Sequence, residues 1–312
     1  MDKGSKIALA RRPAPFFTVD VFTDQPFGGN QLAVFPDASK IPVELFQSIA
    51  REFNYSETTF VLPPLMNENA ARVRIFTPLA ELPFAGHPTI GTAFVLAYTG
   101  ALPLSGDLTE TAFEELSGEV KITIRADDGN LDFVYLTAPE LPVVVGPAPT
   151  IAVLAQVLLL ETDSFDHLSP APAVVSGGTP FLLVPVKDVD ALSRCRIHLE
   201  NYNRLVHESG INKIFVYTHN KNDRQEICAR MFAPAIGIPE DPATGSAAVA
   251  LGGYLAEHES LTDETLHWTI HQGIQMGRPS TMFVEAEKRN GDVQFVRVGG
   301  KTVLISEGQM SL

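Results

Sequence analysis

Three ionisable residues of the sequence, Glu57, His87 and Asp241, each stand directly before an apolar segment. A carboxylate such as Glu57, at the edge of an apolar strand, can have a raised pKa and can act as a base toward carbon acids. Each residue also has an ordinary interpretation: Glu57 as a surface or capping residue, His87 as a hydrogen-bonded structural imidazole, and Asp241 as a helix N-cap. The neighbouring Glu240 is expected to be solvated rather than functional.

The sequence around His87 is nearly repeated around Asp241. The first copy, FAGHPTIGTA, has His-Pro, two residues and Gly-Thr-Ala, and the second copy, EDPATGSA, has Asp-Pro, two residues and Gly-Ser-Ala. Proline suits the first turn of a helix, so Pro88 and Pro242 predict two helix N-termini with free backbone N–H groups.

Two helices are expected to follow these prolines, over 88–100 and 242–258. Their sequences carry almost no charge until their ends, and a helix that is apolar all round is buried on all sides. If two halves of the chain pack about a pseudo-twofold axis, both N-termini face one cleft and offer N–H groups to an anion. His87 and Asp241 then lie on opposite sides of that cleft.

Further matches extend the repeat along the chain, with offsets between 149 and 156. They are RIFTP (74–78) with RMFAP (230–234), ETTFV (57–61) with NKIFV (212–216), which sets Asn212 opposite Glu57, and, more weakly, GNQLAV (29–34) with GTPFLL (178–183). We predict homologous halves at roughly 15–145 and 165–305, and domains at 1–145 and 146–312. The C-terminal strands belong to the second domain or cross back to the first. The joint, 138–150, contains four prolines, which disfavour regular structure.

The predicted fold class is α/β (α+β), with two similar domains related by pseudo-twofold symmetry. Each domain is a curved, mostly antiparallel sheet wrapped around a buried central helix. An amphipathic helix is expected over 42–53, and a second one near 189–206. The expected strands are 16–22, 32–35, 59–62, 71–76, 120–125 and 131–137 in the first half, and 181–186, 213–217 and 227–232 in the second.

Composition restricts the classes of partner. The formal net charge of −14 argues against nucleic acid or an anionic membrane surface, and an acidic substrate needs a local positive group. No stretch reaches the length of a membrane span or resembles a signal peptide. Only two cysteines are present, so a reducing, cytoplasmic location is expected.

Several common site motifs are absent. There is no GxGxxG, GxxxxGK[ST] or GxSxG in the chain. His267 and His271 alternate with apolar residues, which indicates the outer face of a strand rather than a zinc pair. Cys195 and Cys228 are expected to pack. Asn30 follows two glycines, and the sequence favours equally a turn residue and a ligand-binding amide.

Taken together, DVFTDQPFGGNQLAVF, NYSETTFV, RIFTPLAELPFAGHPTIGTAFVL, EDPATGSAAVALGGYL and QGIQMGRPS resemble the phenazine biosynthesis PhzF-like family. The resemblance covers nearly the whole chain and implies a diaminopimelate-epimerase-type fold with the site between two domains. The related epimerases carry one cysteine at each helix start, and this sequence has neither, which disfavours a two-thiol mechanism.

The resemblance implies a cofactor-independent isomerase of a small unsaturated or carbonyl-activated carboxylic acid, without metal. Glu57 would move a proton from one carbon to another, and His87 and Asp241 would hold or polarise the group between them. The expected substrate-binding residues are Asn30, Gly86, Thr89, Gly245 and Ser246. A ligand-binding or protein-interaction module and a single-base epimerase or racemase are the alternatives. The resemblance also implies a homodimer.

Overall fold

The computed structural model describes residues 13–128 and 130–312. The strands are β1 (Pro13–Val21), β2 (Asn30–Phe35), β3 (Glu57–Leu62), β4 (Ala71–Phe76), β5 (Glu81–Leu82), β6 (Leu108–Glu115), β7 (Gly118–Asp127), β8 (Asn130–Thr137), β9 (Val143–Gly146), β10 (Ala173–Ser176), β11 (Pro180–Pro185), β12 (Ile214–His219), β13 (Glu226–Ala233), β14 (Ile238–Asp241), β15 (Thr265–Gln272), β16 (Ser280–Arg289), β17 (Asp292–Gly300) and β18 (Thr302–Ser311). The α-helices are α1 (Phe46–Phe53), α2 (Gly86–Tyr98), α3 (Ile151–Leu158), α4 (Val189–Arg194), α5 (Leu199–Ser209) and α6 (Gly245–His258). In this part of the chain, no helix is long and apolar enough to cross a membrane.

The pairing of strands occurs twice along the chain. One ladder runs from β1 to β8 and the other from β10 to β17. In each ladder the seven successive strand pairs are antiparallel, parallel, antiparallel, antiparallel, parallel, antiparallel and antiparallel. The ladders join where β8 pairs with β17. This duplicated arrangement confirms the fold class predicted from the sequence.

Two strands lie outside the ladders and cross between the halves. β18 pairs antiparallel with β1, and β9 pairs antiparallel with β10. Each ladder therefore gains one edge strand from the end of the other half. We propose that the two domains follow the two ladders and exchange these strands, with the boundary close to residue 146.

Each ladder wraps around one apolar helix. α2 and α6 lie in a common core with the inner faces of the strands, where Ile90 and Leu251 are fully buried. The outer face of the first ladder is covered by α1, whose Phe46 stacks on Phe60 with ring centroids 4.0 Å apart. The outer face of the second ladder is covered by α3, α4 and α5 around Tyr202. The buried central helices predicted from their lack of charge are thus both present.

The two central helices begin differently from the prediction. α2 begins at Gly86 and contains Pro88 in its first turn, as expected. α6 begins at Gly245, so Pro242 lies before the helix and the prediction for Pro242 was wrong. The reason is local: the hydroxyl of Thr244 donates to Asp241 Oδ2 at 2.5 Å, which holds the residues between them in a turn.

The helix expected near 189–206 is two helices, α4 and α5. Arg230 Nη1 donates to the carbonyl oxygens of Leu192 at 3.1 Å and Cys195 at 2.8 Å, and so satisfies the C-terminal end of α4. The ring of His198 then accepts the N–H of Asn201 and caps α5. The break is thus set by a side chain from a distant strand.

The segment 138–150 also contains more structure than its prolines suggest. β9 lies between Pro142 and Pro147 and consists of three valines and a glycine. β-branched residues favour strands, and the prolines stand outside the pairing, where a missing N–H costs no ladder bond.

An arginine–glutamate pair with two hydrogen bonds is repeated in both halves. Arg74 on β4 binds Glu81 on β5 at 2.6 and 2.7 Å, and Arg230 on β13 binds Glu240 on β14 at 2.8 Å through both oxygens. Glu240 is therefore paired, and the expectation of a solvated residue was wrong. The side chain of Arg230 is only 4% exposed, compared with 23% for Arg74.

Arg230→Met is expected to lower the free energy of unfolding by about 3–5 kcal/mol, because it leaves Glu240 and several carbonyl oxygens buried without a partner. The matched substitution Arg74→Met removes a more exposed pair and should cost roughly 1 kcal/mol. Urea unfolding of both variants measures the difference. Equal losses would contradict the stronger role of Arg230.

Candidate active site

The N-termini of α2 and α6 meet end to end. A Cβ atom added to Gly86 would lie 3.1 Å from both Gly245 Cα and Ser246 N, and one added to Gly245 would lie 3.2 Å from the ring of Phe22. These distances are tighter than ordinary Cβ contacts, so a side chain at either glycine would push its neighbours apart. Neither helix has a side-chain N-cap, so the positive ends of both helices point toward the same place without a capping acceptor.

Glu57 and His87 face each other beside this junction. Glu57 is the first residue of β3, His87 is the second residue of α2, and both are buried. Glu57 Oε2 and His87 Nε2 are 3.2 Å apart, but they are not aligned as a hydrogen bond, and neither atom has a hydrogen-bond partner in the described part of the protein. Buried polar atoms without partners are rare and are often ligand-binding groups.

Asn30 connects the two halves at the site. Its Nδ2 donates to Asp241 Oδ1 and to the carbonyl of Ala243, both at 2.9 Å, and lies 3.2 Å from His87 Nδ1. Asn30 follows Gly29, which has a φ of +60°, so the turn and the amide contact occur together. Arg278 holds this turn, because its guanidinium donates to the carbonyl of Gly29 at 2.9 Å.

Asp241 is fixed by residues that the sequence alone did not reveal. Thr244 donates its hydroxyl to Asp241 Oδ2, and Gln272 Nε2 donates to the Asp241 carbonyl at 2.7 Å and to Thr244 Oγ1 at 3.0 Å. Thr244 stands within the DPATGSA motif, and Gln272 begins the QGIQMGRPS motif. Those motifs were the only available signal for either residue.

Burial dominates the electrostatics of the site. It raises the pKa of Glu57 well above its usual range, and the charge of Asp241 raises it further. Burial raises the pKa of Asp241 to about 6, against the opposing hydrogen bonds from Thr244 and Asn30. It lowers the pKa of His87 to about 3, which keeps the imidazole neutral, although a backbone hydrogen bond with Gln31 acts in the opposite sense.

A cavity of 440 Å³ lies over these groups, within the usual size range for small-molecule sites. Its walls come from both halves and are largely apolar, including Leu82 and Phe84 from the first half and Phe181 and Met231 from the second. Among residues 13–128 and 130–312, no group of three or more His, Cys, Asp or Glu residues is placed to hold a metal ion.

The predicted substrate-binding residues do not all reach this cavity. Gly86, Gly245 and Ser246 line it, as do the three predicted catalytic residues. Asn30 is fully buried and does not line the cavity, and its amide contacts His87 and Asp241. Thr89 is not among the lining residues, because its hydroxyl contacts Glu115 and the carbonyl of Ala85 instead.

The position equivalent to Glu57 is occupied by Lys213, not by Asn212. Thr58 pairs with Phe76 on β4, and Ile214 pairs with Phe232 on β13, so the equivalent residues differ by 156 (76→232 and 58→214). Both Asn212 and Lys213 line the cavity, and the register of the strands assigns Lys213 to the position of Glu57. Lys213 lines the cavity from the second half as Glu57 does from the first.

Comparison with known proteins gives consistent matches over nearly the full length. Residues 19–308 match the family model for phenazine biosynthesis-like proteins. The chain is 34% identical over 301 residues to an uncharacterized isomerase of Mesorhizobium japonicum, covering 95% of this chain and 98% of that one. It is 35% identical over 303 residues to the trans-2,3-dihydro-3-hydroxyanthranilate isomerase of Pseudomonas fluorescens, covering 95% and 99%. The crystal structure of a PhzF-family protein of Bacillus anthracis aligns with a TM-score of 0.85 at 26% identity, covering 96% and 100%.

The chain therefore belongs to the phenazine biosynthesis-like (PhzF-like) family of proteins. The family expected from the motifs is confirmed, and so is the enzyme class, an isomerase.

Glu115, on β6, contacts the first turn of α2 on the side away from the cavity. Its Oε1 accepts from the hydroxyl of Thr89, and the Thr89 oxygen also lies 2.8 Å from the carbonyl oxygen of Ala85. Burial raises the pKa of Glu115 to about 8, against a smaller lowering by Thr89. The Glu115 carboxyl is therefore neutral near pH 7, and its contact with Thr89 ties β6 to the first turn of α2.

Glu115→Gln should make the free energy of unfolding less dependent on pH. Between the ordinary pKa of 4.5 and the raised value of about 8, only the unfolded state loses the Glu115 proton, so this residue lowers stability as pH rises. The free energy of unfolding is measured in urea from pH 5 to about pH 8. As pH rises, the variant should gain stability relative to wild type by up to about 1.4 kcal/mol per pH unit. Glu110→Gln, on the exposed face of the same strand, is the control. Parallel curves for Glu115→Gln and wild type would show that Glu115 is ionised in the folded state.

Proposed function

We propose that this protein is a cofactor-independent isomerase of a small carboxylic acid, in which Glu57 moves a proton from one carbon to another. The observation that carries the proposal is the buried Glu57 carboxyl, 3.2 Å from the neutral ring of His87, at a cavity lined by both halves of the chain. The resemblance to isomerases of the same family supports it.

In the proposed step, the Glu57 carboxylate takes a proton from a carbon next to a double bond or carbonyl group. The C–H electron pair moves into the conjugated system, and the double bond shifts. Glu57, now the acid, returns the proton to a second carbon on the same face, so no oxidant or reductant is required. A raised pKa suits this shuttle, because one group must act in turn as base and acid.

His87 and Asp241 have different proposed roles. The neutral imidazole of His87 offers Nε2 beside Glu57, where it can contact the group between the two reacting carbons. Asp241 accepts from Asn30 and Thr244, so its oxygens are already occupied. Its main effect is therefore to position Asn30 and to raise the pKa of Glu57 through its charge.

The helix junction supplies the proposed binding site for the substrate carboxylate. Gly86, Gly245 and Ser246 line the cavity at the first turns of α2 and α6, where backbone N–H groups lack helical acceptors. Two positive helix ends at one point favour an anion. This local field offsets the repulsion expected from a net charge of −14.

Glu57→Gln is expected to reduce isomer formation at least about 100-fold, because it removes the group that carries the proton. Wild type and variant are incubated in D2O with a panel of small unsaturated carboxylic acids, including trans-2,3-dihydro-3-hydroxyanthranilate, and new isomers and deuterium incorporation are followed by mass spectrometry and NMR. Glu52→Gln, an exposed glutamate of α1, is the control.

Other outcomes of this experiment separate the alternatives. Exchange that persists in Glu57→Gln would remove Glu57 from the mechanism. Binding that raises the melting temperature, without exchange or new isomers, would indicate a binding module. A product with inverted configuration at one carbon and unchanged double bonds would indicate an epimerase or racemase.

Asp241→Asn is expected to move the acidic limb of the kcat/KM profile to lower pH. The base must be ionised, so activity falls as pH drops through the raised pKa of Glu57. Removing the negative charge of Asp241 removes one cause of that rise. The pH dependence of kcat/KM for both proteins tests this, and an unchanged limb would show that burial alone sets the pKa of the base.

A further inference from the structure

Lys213 is a charged residue of the cavity that the proposed proton transfer does not use. It stands directly before β12 and lines the cavity beside Asn212 and Phe181. Its Nζ lies 5.4 Å from the centroid of the Phe181 ring. Within the described part of the chain, no carboxylate lies within 4.0 Å of Nζ, the distance that defines an ion pair.

The surroundings of Lys213 favour an anionic ligand. It is the only lysine or arginine among the described residues that line the cavity, and it is partly buried. Burial lowers the pKa of Lys213, because nearby acids do not compensate for the lost hydration of the ammonium group. A bound anion would supply that compensation and would gain more than at a fully exposed lysine.

The cavity then has two separate groups for binding anions. The helix ends at Gly86 and Gly245 form one, and Lys213 forms the other, directly before β12 in the second half. In the proposed function the substrate carboxylate lies at the helix ends, and Lys213 is available for a second anionic group.

We propose that Lys213 binds a second carboxylate, so that the substrate of this enzyme is a dicarboxylic acid. The inference deepens the proposed function and rests on it, because it assigns the first carboxylate to the helix ends. Glu57 and Lys213 occupy equivalent positions of the two halves. The proposal gives the first the role of the base and the second the role of binding a substrate carboxylate.

Binding of matched ligands tests this directly. Glutaconate and crotonate share an unsaturated acid, and glutaconate carries one more carboxylate; succinate and butanoate form a saturated pair. Dissociation constants are measured by calorimetry with Glu57→Gln protein, which prevents turnover, at about 0.15 M salt to screen distant charges. Each dicarboxylate should bind at least about tenfold more tightly than its partner.

The same measurements on Lys213→Met and Lys213→Arg in the Glu57→Gln background should separate charge from shape. The advantage of the dicarboxylates should fall to within about twofold in Lys213→Met and should be largely retained in Lys213→Arg. Lys40→Met, which removes an exposed lysine outside the cavity, should leave it unchanged. Unchanged melting temperatures confirm folding.

Three results would overturn the assignment of Lys213. The first is equal or undetectable binding of both members of every pair, and the second is an advantage of the dicarboxylates that survives Lys213→Met. The third is measured in protein that retains Glu57: loss of proton exchange in Lys213→Met without a change in binding. The last would make Lys213 an acid–base group. Each leaves the role of Glu57 to be decided by the exchange experiment, so the two proposals fail separately.

Discussion

The close contact between two helix N-termini is the constraint on which the rest of the structure depends. Gly86 lets the backbones of α2 and α6 approach so closely that a Cβ atom there would crowd Gly245 and Ser246. Since the helices meet end to end, their apolar bodies run in different directions and each needs its own covering sheet. The duplicated ladder provides these sheets, and the pairing of β8 with β17 joins them.

This contact also explains how acidic side chains can be buried at the centre of an acidic protein. The positive ends of both helices lie beside Glu57 and Asp241, and Asn30 donates to the latter. The compensation is incomplete, so both carboxyls keep raised pKa values. The pair of Arg230 and Glu240 shows the contrast: there every charge has a partner, which is typical of a structural site.

The two halves keep the same framework and differ in the chemistry of the cavity. The arginine–glutamate pairs recur because they join the same two strands in each ladder. At the cavity the residue types differ, and Glu57 in one half corresponds to Lys213 in the other. His87 and Asp241 likewise begin the two copies of one motif. A pseudo-symmetric framework therefore encloses an asymmetric site, as a directional reaction requires.

The sequence by itself determined the family, the repeat and the two buried helices, because these are recorded in motifs and composition. It also singled out Glu57, His87 and Asp241, which the structure brings to one cavity. Only the tertiary structure decided where α6 begins, why α4 ends, and that Gln272 holds Asp241. Register also required the structure, since strand pairing sets Lys213, and not Asn212, at the position equivalent to Glu57. Such features depend on contacts between residues far apart in the chain, which no local pattern records.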